Sequence, residues 1–143
     1  MLWKWAREIV SALLYCHTVA SVCHRDIKAE NIMLNEAGEA ILVDFGVSSL
    51  FENDDDSVKG TVGSMRYFSP EIVRTGGPKL VKGRATDVWA LAVTLYNMAS
   101  NKFPFNSLNV CDFKTELLEQ EPDYSVIKDH KLEELLKLMF KKD

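Results

Sequence analysis

The segment from Val88 to Met98 constrains the fold of this chain more than any other part of it. Nearly every residue in it is apolar, so a helix formed here would have no polar face to turn toward water. Such a helix is stable only when other elements surround it, as at the centre of a globular core. We therefore predict a central helix over 83–98, with Asp87 at its start, where a carboxylate can cap backbone N–H groups. A chain of 143 residues is long enough for one such core and too short for two ordinary domains.

Four other segments carry helical signals. Residues 2–19 place apolar side chains at helical spacing, with His17 expected near the last carbonyls. Pro70 is suited to the first position of a short helix. Weaker helical patterns cover 108–118 and 132–140, and a break is expected at 75–78. The predicted fold class is mainly α.

A β-hairpin is the main exception to the helical pattern. Two short apolar runs, 32–34 and 40–43, flank turn residues at 35–39. The two ends of an antiparallel hairpin lie together, so the loop before the first strand should meet the loop after the second. This predicts that Asp26, Asn31 and Asp44 converge.

The converging residue types suit phosphate chemistry. Asn31 and Asp44 offer the hard oxygen ligands that Mg²⁺ prefers beside phosphate oxygens and water. Asp26 is a carboxylate within plausible reach of a hydroxyl nucleophile, and Lys28 can offset transferred phosphate charge. Gly46 permits a backbone turn after Phe45 that other residues resist.

Composition excludes several classes of function. The net charge of -4 provides no basic field for nucleic acid, and no apolar run is long enough to span a bilayer. Cys16, Cys23 and Cys111 form no metal-spaced pair and are interpreted as reduced thiols, each a small buried hydrophobe. We therefore expect a cytoplasmic protein with neither a nucleic-acid nor a membrane partner.

Residues 47–66 are polar with weak periodicity, which predicts a long exposed loop. Its acidic run, 52–56, has two interpretations. One is a solvated loop tip. The other is a fixed negative charge that partly substitutes for phosphorylation.

The order of the motifs resembles the signature of a eukaryotic protein kinase. The matching residues are His24-Arg25-Asp26, Asn31, Asp44-Phe45-Gly46, Ser69-Pro70-Glu71 and Asp87-Val88-Trp89. The resemblance is to the C-terminal lobe of a serine/threonine kinase. It covers residues 1–143 as a partial kinase domain. The segments 44–48, 61–64 and 82–91 are also similar to those of calcium/calmodulin-dependent protein kinase kinases.

The resemblance implies a role for each motif residue, with ATP and Mg²⁺ as cofactors. Asp26 would be the catalytic base and Lys28 would contact the transferred phosphate. Glu30 would help to bind the nucleotide, and Asn31 and Asp44 would bind the metal.

The remaining motif residues would have structural or regulatory roles. His24 would stack on Phe45, and Asp87 would anchor the backbone of the catalytic loop. Residues 47–68 would form the activation segment, with Ser64 near the acceptor site. Arg25 would bind a phosphate on that segment, for which Thr61 is the candidate. Glu71 would pair with an arginine that this sequence does not contain.

The sequence departs from the family pattern in what it lacks. No glycine-rich loop and no strand lysine precede Trp3, so the N-terminal lobe is absent and the domain is expected to be truncated at both ends. Two functions stay open. The first is a serine/threonine kinase, active on protein substrates in its full-length form and inactive as these residues alone. A calmodulin or other regulatory partner would bind through missing segments. The second is a catalytically inert kinase-like lobe that binds proteins.

Overall fold

The computed structural model describes residues 1–75 and 79–142. Within them, five α-helices run over Leu2–Thr18 (α1), Pro70–Thr75 (α2), Gly83–Ser100 (α3), Val110–Glu119 (α4) and His130–Met139 (α5). Short 3₁₀ helices cover Ala29–Asn31, Met65–Tyr67 and Tyr124–Val126. The predominantly helical fold class and the predicted helices are confirmed. The break expected at 75–78 falls mainly on residues 76–78, which lie outside the described residues.

The central helix of the sequence prediction is α3. Its middle turns, from Trp89 to Tyr96, are buried on every face. Helices α1 and α5 pack against it, and the apolar stripe of α1, which includes Ile9 and Leu13, is part of the same core. The prediction that the apolar segment forms the centre of the fold is confirmed.

The ends of two helices differ from the sequence expectation for identifiable reasons. Helix α4 begins at Val110, because the Asn109 side chain accepts hydrogen bonds from the N–H groups of Cys111 and Asp112 at 2.8 and 3.3 Å. Helix α3 begins at Gly83, so Asp87 lies one turn inside it and is not its cap. The expectation of a capping role for Asp87 is therefore wrong.

The predicted hairpin is confirmed as strands Ile32–Leu34 (β2) and Ala40–Leu42 (β3), with Ile32 opposite Leu42. The structure contains, among the described residues, two further strand pairs that the sequence did not predict. Strand Val22–Cys23 (β1) pairs antiparallel with Ser49–Leu50 (β4), and Ser57–Lys59 (β5) pairs antiparallel with Leu80–Lys82 (β6). The described part of the chain thus contains three two-stranded sheets.

The segment 47–66 is not the exposed loop that its composition indicates. Phe51 and Val58 are buried with Cys23, Ile72 and Val81 in a second, smaller apolar cluster. This cluster joins the segment to β1, α2 and β6. The segment therefore has a defined path over the loop that follows β1.

The acidic run lies on the surface of this segment and is partly neutralised. Lys82 Nζ contacts Asp55 Oδ1 at 3.0 Å and Asp56 Oδ1 at 3.2 Å. A hydrogen bond from Ser57, and then the one from Lys82, lowers the pKa of Asp55 to about 2. Glu52, Asn53 and Asp54 are exposed, in accord with a solvated loop tip.

The structure bears on the predictions for the cysteines and for membrane-spanning segments. Cys16 and Cys23 are buried as predicted, whereas Cys111 is exposed in the first turn of α4, so the prediction for Cys111 is wrong. Among the described residues, no helix has the length and apolar character needed to cross a bilayer.

Candidate active site

The loop from His24 to Asn31 is fixed to α3 by hydrogen bonds to Asp87. Both oxygens of the Asp87 carboxylate accept backbone N–H groups of this loop, Oδ2 from His24 and Oδ1 from Arg25, each at 2.9 Å. Asp87 is almost fully buried. Arg25 has a positive φ of 69°, an uncommon conformation for a residue with a side chain. The two hydrogen bonds fix the chain path at this strained turn, immediately before Asp26.

His24 connects the loop to the end of the hairpin. Its Nε2 donates to the carbonyl of Val43 at 2.9 Å, and its Nδ1 accepts the Asp26 N–H at 3.2 Å. The Val43 N–H in turn donates to the Asn31 carbonyl at 2.9 Å. The His24 and Phe45 rings meet edge to face with centroids 4.7 Å apart. These contacts bring the His24 loop and the Asp44 loop together, as the hairpin geometry predicts.

Asp26 is the centre of a polar cluster on this loop. Asn31 Nδ2 donates to Asp26 Oδ2 at 3.1 Å and to the Asp26 carbonyl at 2.8 Å. Lys28 Nζ lies 3.2 Å from the same Oδ2. Asp26 and Lys28 are partly exposed at 16% and 23%, so both remain accessible to a substrate. A carboxylate oriented by a hydrogen bond and an ion pair, and still partly exposed, can receive a hydroxyl hydrogen bond.

Asn31 and Asp44 have donor atoms that fit a Mg²⁺ ion. The Asn31 nitrogen is committed to Asp26, and Asn31 Oδ1 accepts no hydrogen bond among the described residues. Asp44 is exposed at a positive φ of 61°, and its Oδ1 accepts the Gly46 N–H at 3.2 Å. No group of three or more His, Cys, Asp or Glu side chains is arranged for a metal within residues 1–75 and 79–142. Mg²⁺ needs no such group when phosphates and waters complete its shell.

Gly46 and Glu30 lie close in sequence to Asp44 and Asn31. A Cβ at Gly46 would lie 3.1 Å from Asp44 Oδ1, so a side chain there would crowd the carboxylate. Glu30 is exposed in the 3₁₀ turn Ala29–Asn31. Burial, and secondly the charge of Glu30, raises the pKa of Tyr67 to about 12, so this phenol stays neutral beside the loop. The nucleotide role of Glu30 stays a prediction.

The segment 59–64, which follows the Asp44 loop, contacts the residues on either side of Asp26. Lys28 Nζ contacts Ser64 Oγ at 3.4 Å. The Arg25 guanidinium donates to the Lys59 carbonyl at 2.7 Å, two residues before the exposed Thr61. No acidic side chain of the described residues forms an ion pair with Arg25, and the interpretation of the acidic run as a phosphate substitute stays a prediction. Phosphorylation of Thr61 stays a prediction.

Glu71 lies in the first turn of α2 and is half-buried. It makes no ion pair within the described part of the chain, and its expected arginine partner stays a prediction. The adjacent Ser69 is fully buried, and its Oγ has no hydrogen-bond partner among the described residues.

Gly63 was missed as a site residue, although its position next to Ser64 was a signal. It has a φ of +102°, and a Cβ there would lie 2.7 Å from the Arg25 carbonyl oxygen. No real Cβ approaches a backbone oxygen so closely, so only glycine lets the segment pass over the His24 loop at this distance.

We expect Gly63→Ala to loosen this contact. The clash and the left-handed strain together should cost about 1–3 kcal/mol. Hydrogen-exchange mass spectrometry should show faster exchange in peptides spanning 58–68. Gly38→Ala is the matched control, because Gly38 also has a positive φ (71°) but nothing lies within 4 Å of its Cβ position. Equal exchange in the two variants would show that the close approach to Arg25 is unimportant.

His17 and Cys23 were also missed. His17 lies in the last turn of α1, as expected, but the sequence did not predict that its Nε2 lies 2.8 Å from Asp87 Oδ2. Cys23 Sγ donates to the same oxygen at 3.4 Å. Burial, and secondly the charge of Asp87, raises the pKa of the Cys23 thiol well above its ordinary value, so it stays protonated and can donate. The sequence offered no spacing signal for these long-range contacts.

Comparisons with known proteins agree with the class that this site suggests. The family model described as "Protein kinase domain" matches residues 2–143. The chain belongs to the protein kinase family, which confirms the resemblance found in the motifs.

Three similar proteins are kinases by name. The chain is 37% identical over 103 residues to a calcium/calmodulin-dependent protein kinase kinase of Caenorhabditis elegans, covering 72% of the chain and 19% of that protein. It is 35% identical over 142 residues to a probable serine/threonine-protein kinase of Dictyostelium discoideum, covering 98% of the chain and 20% of that protein. It is 38% identical over 102 residues to serine/threonine-protein kinase GRIK2 of Arabidopsis thaliana, covering 71% and 25%. The chain thus spans about a fifth to a quarter of the length of these relatives.

Proposed function

We propose that this chain is the C-terminal lobe of a serine/threonine protein kinase, which transfers the γ-phosphate of ATP to hydroxyl groups of protein substrates. The observation that carries the proposal is the cluster around Asp26. Asn31 donates to one carboxylate oxygen at 3.1 Å, and Lys28 Nζ forms an ion pair with the same oxygen at 3.2 Å. The second carboxylate, Asp44, follows the hairpin that returns to this loop. Membership of the kinase family supports the same reaction.

Each residue of the cluster has a distinct part in this reaction. Asp26 would accept a hydrogen bond from the substrate hydroxyl, orient its oxygen toward the phosphorus, and take up its proton as transfer proceeds. Lys28 would shift from Asp26 toward the transferred phosphate and offset its charge. Ser64, which contacts Lys28, would position the lysine beside the acceptor.

Asn31 and Asp44 would hold Mg²⁺ through their oxygen atoms. When bound, the ion would neutralise phosphate charge and fix the geometry of ATP for in-line transfer. The protein contributes ligands that are already oriented: Asn31 by its bonds to Asp26, and Asp44 by the Gly46 N–H. Such preorganisation is the main way in which a protein accelerates phosphate transfer.

The test is phosphate transfer from ATP by the full-length protein that contains these residues. Peptides with a single Ser, Thr or Tyr acceptor should be offered over a range of Mg²⁺ concentrations. We expect transfer to Ser and Thr peptides and none to Tyr peptides. Transfer to tyrosine alone would contradict the proposed acceptor class.

Asp44→Asn tests the metal assignment in the same assay. We expect turnover at a fixed Mg²⁺ concentration to fall by roughly 10²-fold or more, because a charged ligand of the ion is lost. Asp54→Asn is the matched control, since Asp54 is exposed at a positive φ of 64°, a conformation that asparagine tolerates well. Unchanged turnover in Asp44→Asn would show that Asp44 is not a ligand.

The alternative is a catalytically inert lobe that binds proteins. An apolar groove of about 550 Å³ between α1, α3 and α5 favours it, with Val10 and Leu14 exposed at its edge. Full-length protein that binds ATP or partners but transfers no phosphate would support this alternative. The cytoplasmic location and regulation by calmodulin stay predictions, since no described residue bears on either.

A further inference from the structure

Arg66 carries a positive charge close to the Asp26 cluster. It lies in the 3₁₀ helix Met65–Tyr67. Its guanidinium forms no ion pair and no hydrogen bond within the described part of the chain, and it lies over the Phe103 ring, 4.6 Å from the centroid. An arginine that contacts a ring in this way still has N–H groups available to donate, since a guanidinium carries five of them.

The ring beneath Arg66 is itself fixed in place. Phe103 meets Tyr67 edge to face with ring centroids 5.9 Å apart, and both rings pack against the main apolar core. Phe103 therefore restricts where the guanidinium can lie before any ligand arrives. Because a side chain that is already held loses less conformational freedom on binding, Arg66 can bind a ligand at a lower cost than a mobile surface cation.

A single tight turn connects Arg66 to the Asp26 cluster. Ser64 Oγ lies 3.4 Å from Lys28 Nζ, which lies 3.2 Å from Asp26 Oδ2. The Tyr67 N–H donates to the Ser64 carbonyl at 3.0 Å, which closes the turn that contains Arg66. An extended chain advances about 3.3 Å per residue, so a hydroxyl held at Asp26 brings the neighbouring residues of its own chain to this turn.

The pKa of Tyr67 shows that Arg66 lies near negative charges without pairing with them. Burial is the main cause that raises this pKa to about 12. The charges of Glu30 and Asp26 raise it as well, whereas the charge of Arg66 lowers the same pKa. Lys28 is paired with Asp26, but the charge of Arg66 remains available to a bound ligand.

We propose that Arg66 is a specificity-determining residue, which binds the carboxylate of an Asp or Glu side chain within about three residues of the acceptor hydroxyl in the substrate. A guanidinium offers a carboxylate two parallel N–H groups, so the contact is directional as well as electrostatic. The inference rests on the proposed function and narrows its substrate class to Ser or Thr with an acidic neighbour.

The test measures phosphate transfer by the full-length protein to peptides that differ at one position. Each peptide has one Ser acceptor in an alanine-rich background, and one Glu is placed in turn at the three positions before and the three positions after it. A matching set carries Arg in place of Glu. The measured quantity is the ratio of kcat/KM for each charged peptide to kcat/KM for the alanine peptide. This ratio compares two substrates of one preparation, so it does not depend on the fraction of a variant that is folded.

We expect the parent protein to favour Glu at one or two adjacent positions by roughly tenfold, the scale of one hydrogen bond between charged groups. The gain should be in KM, since the contact is made in the ground state and in the transition state alike. In Arg66→Ala the ratio should fall to about one. Arg66→Lys should keep part of the preference, and Arg66→Glu should favour Arg at the same position. Lys131→Ala is the control, because Lys131 is an exposed cation in the first turn of α5.

Several results would overturn the inference. They are a parent protein that favours Glu at no position, an unchanged ratio in Arg66→Ala, and a preference for Glu that persists in Arg66→Glu. An equal loss in Lys131→Ala would mean that the overall charge of the protein sets the preference, and would also overturn it.

A binding measurement separates this inference from the proposed function. If the unmodified protein transfers phosphate to no peptide, the proposed function fails, and fluorescence anisotropy then decides the role of Arg66. The two labelled peptides carry Glu or Ala at all the flanking positions. A preference for the Glu peptide that is lost in Arg66→Ala would support the role of Arg66, and equal preference in the two proteins would exclude it.

Discussion

Replacing Asp26 by asparagine should lower kcat for phosphate transfer by roughly 10²–10⁴-fold, the usual contribution of a positioned acid or base. The amide has the shape of the carboxylate but cannot take up the proton of the substrate hydroxyl. Asn31 can still donate to the remaining amide oxygen, so the loop should keep its path. Lys28 loses the ion pair of 3.2 Å, which leaves its charge free to bind phosphate.

The fall should therefore appear in kcat and not in nucleotide binding. The measurement is steady-state transfer to a Ser or Thr peptide, with ATP affinity determined separately by calorimetry on the same preparation. We expect ATP affinity within about threefold of the parent protein, since Asp26 is not assigned as a metal ligand. Asp54→Asn again serves as the control for an exposed Asp-to-Asn change. Turnover that survives in Asp26→Asn would exclude Asp26 as the base.

The sequence was sufficient to predict the parts of the site that depend on local pattern. Two apolar runs around a turn specify the hairpin, and the hairpin alone brings the Asp26 loop next to the Asp44 loop. An all-apolar segment specifies the central helix α3, because such a segment can only be stable when surrounded. Both inferences use short-range regularities that a single sequence displays directly.

Contacts between distant residues were not predictable in the same way. Strands β1 and β4 have only two residues each, too few to show an alternating pattern, and they lie beside the apolar cluster that contains Cys23 and Phe51. That tertiary contact overrides the polar composition of 47–66. Asp87 shows the same limitation, since its position near a helix start favoured capping, whereas the loop N–H groups supplied better-placed donors.

The aromatic packing around Phe140 provides a second large prediction, on stability. The sequence placed Phe140 on the apolar stripe of the last helix, and the structure places it immediately after α5 at 2% exposure. Its ring meets Trp89 at 5.0 Å, Phe105 at 6.1 Å and Tyr96 at 6.4 Å between centroids, each edge to face. Phe140 therefore joins the end of α5 to the centre of α3.

Phe140→Ala should lower the free energy of local unfolding of α3 and α5 by about 3–5 kcal/mol, because it removes buried apolar surface and leaves a cavity among rings that cannot collapse freely. Native-state hydrogen exchange on peptides from the two helices measures this in the full-length protein, and the slowest amides should exchange roughly 10²–10⁴-fold faster. Leu138→Ala, at a 63% exposed position of α5, should change exchange by less than about twofold. If both variants exchange alike, the aromatic cluster does not hold α5 to α3, and the central helix must derive its stability from its contacts with α1.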